Sequence, residues 1–589
     1  MRRLAIAAAA LVLPFVSGAA AGTAPPLNAP RTIVDRNHDN RLEYGPRESR
    51  TRRTDLVQAG GTGNLPPVRL IHFAQMTDTQ LVDEESPARV EFVDRVGRPY
   101  EAAYRPQEGL LPMVLSEEVR AVRAEKPELV IVTGDNADNT QRNETRWFID
   151  ILDGGVVTPD SGTSRKCAPA RSRFRGVRGS RLFYEPDRSV GQDGPGYSPL
   201  MRVNMRRVQR SNSVRDYPGI FEEMNRPFRA PGLGVPWYTV IGNHDALIQG
   251  NVPGNAFFSQ AAAACVKVTD LSRRAWNLIK PLAEGGITDE ENTQVVQIIY
   301  GDFLATISSP SKKRGLWKRI PSDAQRRLLF RKPDFMREHL HTRGTPAGHG
   351  FSQVNLDSGE GNYSFAPKPG LRFVAIDSVA AAGPDGNLDQ TQFVWLHAEL
   401  LAAEAAHELV VVFAHHSLAS MRQPESNTHQ GLTGSCPSAL PATPPAPDES
   451  VLCLFSRHPS VIAFVAGHSH RNRITPYPRA GGGFWEIVSS SHTDWPQQSR
   501  IIDIVDNQDV EHTLSILTHV IEHKAPPRPG LRMRTRGRLL SAAEVTRLAS
   551  IARELSFNDP QAENGEDGFP DRRGTRLDRN VELLVPNPY

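Results

Sequence analysis

Five short stretches of this chain carry residues that could do chemistry. They are Asp78 and Gln80 in "MTDTQ", Asp135 and Asp138 in "TGDNAD", Asn243, His244 and Asp245 in "IGNHDA", His415 and His416 in "FAHHSL", and His468 and His470 in "AGHSHR". Carboxylates, imidazoles and amides together form a donor set suited to divalent metals of intermediate hardness, such as Mn, Fe or Zn. A lone His-x-His pair occurs in many loops without function. Five polar clusters, each at the same place relative to an apolar run, are not explained as independent accidents. They hold more potential ligands than one four- to six-coordinate ion needs, which points to two ions.

The elements that must hold these residues lie just upstream of each. "VRLIHFAQM", "PELVIVT", "VPWYTVI", "HELVVVFA" and "SVIAFVA" are apolar, β-branched runs that stop abruptly at the polar cluster. Each reads as a buried strand handing its last residues to a loop, and the five are expected on one sheet. Leu111, Leu115, Val119 and Val122 share a helical face that stops before Pro127. Phe393, Leu396, Leu400 and Ala403 share another, with Asp389 placed as N-cap. This alternation predicts an α/β layer structure with function at the strand ends. Three later runs, 484–488, 500–505 and 512–521, follow one another without helices, which predicts antiparallel pairing and a mixed sheet.

The chain has 589 residues, 39% apolar and 23% charged, enough for a large globular domain with additions. A formal charge of +3 is too small to argue for nucleic acid, and no nucleic-acid-binding module is expected. The basic runs at 171–181 and 312–319 read as solvated surface of inserts. Arg2 and Arg3 precede "LAIAAAALVLPFV" and the small residues "SGAAAG", the layout of a secretory signal peptide over residues 1–21. That apolar core is too short to span a bilayer comfortably, and no later transmembrane segment is expected. The expectation is an exported protein, secreted, periplasmic or held at the cell surface. Residues 22–66 read as an N-terminal extension and 67–525 as the main domain, with insertions at about 155–235 and 421–452. Residues 526–589 read as a C-terminal tail with one helical segment. Among four cysteines, Cys436 and Cys453 bracket a Pro-rich loop that a disulfide would close, leaving Cys167 with Cys265. "DRNHDNRLE" from Asp35 begins like a calcium loop but lacks glycine at the sixth position and has Pro46 at the twelfth, so it reads as a polar turn.

In order along the chain, D-x-Q, G-D-x-x-D, G-N-H-D, H-H and G-H-x-H resemble the motifs of the calcineurin-like metallophosphoesterases, over roughly residues 67 to 525. The resemblance implies a four-layer αββα sandwich of two mixed sheets flanked by helices, with large loop insertions. It also implies a centre of two metal ions, Mn, Fe or Zn, with Mg or Ca compatible. Carried over by position, it places Asp78, Asp135 and His470 on the first metal and makes Asp135 the bridge. Asn243, His468 and a histidine of the 415–416 pair fall on the second. His415 directly follows the strand and is preferred, with His416 as the alternative. His244 matches the family's proton donor, oriented by Asp138. An Asp–His pair of this kind raises the histidine's basicity and fixes its tautomer.

One departure stands out. The family usually has D-x-H at the first motif, where this chain has Gln80. Its amide oxygen is a weaker ligand than imidazole, giving a harder, looser first site, or else the amide hydrogen-bonds a water there. His492, Asp494, Arg471 and Arg473 lie nearby and read as structural; Asp245 reads as a cap. The expected function is an exported, dinuclear metal-dependent phosphoesterase acting on phosphomonoesters or phosphodiesters through metal-activated water. The alternative is a non-catalytic secreted binding protein that keeps a structural metal centre. Gln80 favours that alternative, and the intact Asn243–His244 pair speaks against it.

Overall fold

A computed structural model of the chain describes residues 31–38, 41–57, 65–96, 100–162, 217, 219–283, 289–436, 444–530, 539–559, 562–565 and 570–589. The leader over 1–21, the basic run 171–181, most of the 155–235 insertion and Cys167, hence the expected Cys167–Cys265 pair, lie outside the described residues. Two mixed sheets with flanking helices make an α/β protein. Their strands are β1 (Thr51–Arg53), β2 (Val68–Met76), β3 (Leu129–Val132), β4 (Trp237–Thr239), β5 (Tyr363–Lys368), β6 (Leu371–Ile376) and β7 (Leu409–Ala414). They continue with β8 (Val461–Ala466), β9 (Arg473–Arg479), β10 (Gly482–Val488), β11 (Gln498–Asp506), β12 (Thr513–Glu522) and β13 (Val581–Pro586). The first sheet runs β1-β13-β12-β11-β2-β3-β4, and the second β5-β6-β7-β8-β10-β9. β2, β3 and β4 are parallel neighbours, as are β6, β7, β8 and β10.

The five motif strands are therefore shared between two sheets rather than set on one: β2, β3 and β4 in the first, β7 and β8 in the second. Buried parallel strands look alike in sequence because both of their faces are apolar, so the runs could not reveal their partners. For the same reason β10, expected as an antiparallel neighbour of β11, lies in the second sheet between β8, to which it is parallel, and β9, to which it is antiparallel. β11 and β12 pair antiparallel as expected.

Side-chain alternation explains why these runs are apolar throughout. Along β2, Phe73 enters an apolar cluster containing Ile131 and Ile502 from its own sheet and Phe373, Val411, Phe413, Val465 and Trp485 from the other. Ala74 and Met76, on the opposite face, join Val130 and Val132 against helices α1 (Leu111–Glu125) and α2 (Arg142–Asp153). On β7 the odd positions Val411 and Phe413 take the shared cluster. The even positions Val410 and Val412 meet Phe393, Leu396 and Leu400 of α3 (Gln390–Ala405) and Leu454 of α4 (Val451–Arg457). Each such side chain, fully buried, contributes roughly 1.5–3 kcal/mol before its entropy loss. The Asp389 carboxylate accepts from Gln392 N at 2.9 Å, and Gln392 Oε1 accepts from Asp389 N at 3.0 Å, which caps α3 as expected. α1 ends with Lys126 in the left-handed region at φ +58°, immediately before Pro127.

Two described elements of the segment 526–589, expected as a tail, are built into the core. Helix α5 (Ala542–Asn558) sends Val545, Leu548, Ile551 and Leu555 into the cluster under α1. β13 lies between β1 and β12 in the first sheet, and its Leu584 carbonyl accepts from Trp485 Nε1 at 2.9 Å. Its run "VELLVP" is short and follows the polar stretch 570–580, which hid it. β1 likewise comes from the expected N-terminal extension. The strands on either side of the stretch after Asp35, Arg31–Val34 and Glu43–Arg47, pair antiparallel. The Cys436–Cys453 disulfide is present, with Cα atoms 5.1 Å apart. Among the described residues, no helix is long and apolar enough to cross a membrane.

Candidate metal centre

All five polar clusters meet where the parallel strands of both sheets end. Their loops hydrogen-bond to one another: Asp78 N to Gly134 O at 3.1 Å, Gln80 N to Asp135 O at 2.8 Å, and Gly467 N to His415 O at 2.9 Å. The close fit leaves no room for side chains at two glycines. A Cβ at Gly242 would lie 2.2 Å from Asp135 Oδ1, and one at Gly467 would lie 2.0 Å from Thr77 Oγ1 and 2.5 Å from Asp78 Oδ2. The backbone is strained as well. Asp78 (φ +49°), Gln80 (+40°), Asp135 (+53°), His468 (+67°) and His470 (+54°) all occupy the left-handed region. Such conformations cost of order 1–3 kcal/mol each and persist where the surroundings over-determine them, typically at functional sites.

Two groups of donors result. Ligand atoms of Asp78, Asp135 and His470 lie within 4.8 Å of one another, and those of His415, His416 and His468 do the same. Asp135 faces both: its Oδ2 is 3.2 Å from Gln80 Nε2 and 3.3 Å from His415 Nε2, while its Oδ1 accepts from His244 N at 2.8 Å. Asn243 Oδ1 is 2.8 Å from His415 Nε2, its amide fixed by Nδ2 donating to Gly250 O at 3.0 Å. The two candidate histidines differ. His415 Nδ1 donates to Thr133 O at 2.8 Å, so in the neutral ring the Nε2 lone pair faces Asn243, Asp135 and His468. His416 has both ring nitrogens engaged, with Ser378 Oγ and Pro384 O, each at 2.9 Å.

The donor set fits divalent cations on a direct observation. Asp78 Oδ1 and Gln80 Oε1 are buried yet make no hydrogen bond, although Asp78 Oδ1 lies 3.2 Å from His470 Nε2. An unsatisfied buried acceptor costs roughly 1–3 kcal/mol, and a cation would satisfy both. The electrostatics agree. Burial works against ionising Asp135, but the charges of His415 and His244 hold it far below the usual carboxylate range. Burial and the His415 charge push His468 down to about 3, which keeps its ring neutral.

His244 is arranged differently. Its Nδ1 is 2.8 Å from the Asp138 carbonyl oxygen and 3.5 Å from Asp138 Oδ1, and its side chain is 17% exposed. Burial lowers its pKa, but Asp135 and then Asp138 outweigh that and raise it to about 9. The ring therefore carries a proton at neutral pH and can give one up.

Asp494, which its sequence position marks only as structural, lies with its Oδ2 2.6 Å from His470 Nδ1 and so orients that ring. Carboxylates behind a ligating histidine fix its tautomer and basicity. The available signal was its position just after β10, beside β8. The other neighbours do point elsewhere. Arg471 pairs with Glu563 and Arg473 lies 3.9 Å from Glu486. His492 meets Ser499 Oγ at 2.9 Å. Asp245 accepts from Gly242 N at 2.9 Å and Ala137 N at 2.9 Å, tying two motif loops together.

No family model matches the chain, and no curated protein matches it. Among solved structures it is similar to a dimetal phosphatase from Danio rerio, at TM-score 0.32 and 13% identity, covering 77% of this chain and 100% of that one. That likeness is too low to assign a fold or an activity, so the functional reading stands on the site's own geometry.

Proposed function

We propose that this chain is a dinuclear metal-dependent phosphoesterase of the calcineurin-like type, hydrolysing phosphomonoesters or phosphodiesters. The observation that carries the reading is the pair of adjacent donor groups between which the Asp135 carboxylate lies, with the His244 ring held by Asp138 at their edge. Asp78, Gln80, Asp135 and His470 would hold one cation, and Asp135, Asn243, His415 and His468 the other. His416 is the less suitable ligand because both its nitrogens are occupied. Cations there supply Lewis-acid charge to a phosphoryl oxygen and make water more acidic. His244 holds its transferable proton at Nε2, since Nδ1 is committed to Asp138, and passes it to the departing oxygen. The exposed edge of that ring lets it take a new proton from solvent. The three apolar clusters support a helix–sheet–sheet–helix layering of the family's kind. The leader over 1–21 and the Cys436–Cys453 disulfide support export to an oxidising compartment. Loops from the two insertions would select the substrate.

The test loads mature protein with Mn and measures bound metal together with hydrolysis of bis-p-nitrophenyl phosphate and p-nitrophenyl phosphate, beside a His468→Ala control. Two bound ions and turnover that is lost in the control are expected. A chain that binds no metal ends the proposal. Metal uptake with no turnover of either ester, or of natural phosphate esters offered in its place, would favour the secreted binding protein.

A further inference from the structure

Behind the site, buried polar groups outside the five motifs link His470 to Asp138 by side-chain and backbone hydrogen bonds. The path starts at His470, whose Nδ1 lies 2.6 Å from Asp494 Oδ2. Asp494 Oδ1 accepts from Arg105 Nε at 2.6 Å, and Arg572 clamps its other oxygen. The backbone N–H of Arg105 donates to Glu108 Oε2 at 2.9 Å, and the same oxygen accepts from Arg89 Nη2 at 2.5 Å. Arg89 Nη1 then reaches Asp138 Oδ2, and Asp138 holds His244. Every member is nearly inaccessible: Arg89 is 1% exposed, Asp138 2%, Glu108 5%, Arg105 7% and Asp494 8%.

We propose that Asp494, Arg105, Glu108 and Arg89 form a positioning relay that fixes His470, at one metal position, and the Asp138–His244 pair in a single rigid frame. The proposal rests on the phosphoesterase reading and deepens it. None of the four touches reacting atoms; they act through His470 and Asp138. Buried ion pairs contribute little net stability compared with apolar packing of the same volume, so stability alone is a weak reason for this path. A satisfied buried polar network does confer rigidity. Asp494 makes Nδ1 of His470 the donor and leaves Nε2 facing Asp78 Oδ1. The relay also suits a centre in which Gln80 supplies an amide where an imidazole is the stronger ligand, because the first position then depends more on the aim of His470.

The experiment is a calorimetric titration of full-length protein with Mn2+, comparing the wild type with Asp494→Asn, Asp494→Glu and Glu108→Ala, with steady-state kinetics on each. The wild type is expected to show two binding events. Asp494→Asn should weaken one of them by about 10- to 100-fold, the usual effect of removing a histidine's orienting partner. The other, built by His415, His468 and Asn243, should be kept, and Asp494→Glu should recover part of the loss. Glu108→Ala, which removes the acceptor in the middle of the relay, should weaken the same event and lower kcat with KM little changed. If Asp494→Asn does not fold, Arg572→Gln at the more open end of the clamp takes its place, with a smaller weakening of the same event. Wild-type Mn2+ affinity and kcat in folded variants, with only the melting temperature lowered, would overturn the relay. A wild type that binds no Mn2+ would instead overturn the phosphoesterase reading beneath it.

Discussion

His244 differs from the other histidines of the centre in what its ring meets: a carbonyl and a carboxylate on one side, and partial solvent on the other. Replacing it with alanine should lower kcat by about 10²- to 10⁴-fold, the range for a lost general acid, while Mn2+ uptake stays at the wild-type level. Metal-free protein offers a second check by NMR titration. His244 should titrate near 9 and His468 near 3, and coincident midpoints near 6.5 would contradict the geometry. The donor residues were legible because residue type and spacing carry that information directly. The relay was not legible, since Arg105 and Asp494 are 389 positions apart and nothing local marks them as partners. Nor does sequence show which backbone positions will be held at positive φ.

At the scale of elements, apolar runs announced the strands, and caps announced the helices. What they left open was pairing, because a strand buried on both faces carries no mark of its neighbour. α1 offers a test of how elements meet. Its Glu118 is fully buried; Oε2 accepts from Ser499 Oγ of β11 at 2.9 Å, and Oε1 has no partner. Burial pushes this carboxyl well above its usual value of 4.5. A folded-state pKa above the unfolded one gives stability that is complete below 4.5 and is lost as pH rises through the raised value. Glu118→Gln removes that loss. Its melting temperature relative to wild type should therefore rise between pH 5 and pH 8, and thermal unfolding followed by circular dichroism would show it. An offset independent of pH would mean that Glu118 does not titrate as its burial demands.

Across the whole molecule, the first sheet is assembled from both ends of the described chain. β13 buries Val581, Leu583, Leu584 and Val585 completely, worth together on the order of 6–12 kcal/mol. That is comparable with the entire stability of a typical domain, about 5–15 kcal/mol. A chain ended at residue 570 should consequently lose cooperative unfolding and become sensitive to protease, which limited proteolysis beside the full chain would reveal. The sequence concealed this because the strand is short and follows a polar stretch. The same arrangement governs how the protein can be born. β1 pairs in parallel with β13, and at 5–20 residues per second a ribosome needs roughly half a minute to two minutes to travel from one to the other. Once β12 is made, it offers an open hydrogen-bonding edge to any passing strand for about 3–12 s at the same rate, until β13 emerges. That edge closes only when β13 pairs with it, so the first sheet is complete only when nearly the whole chain has been made.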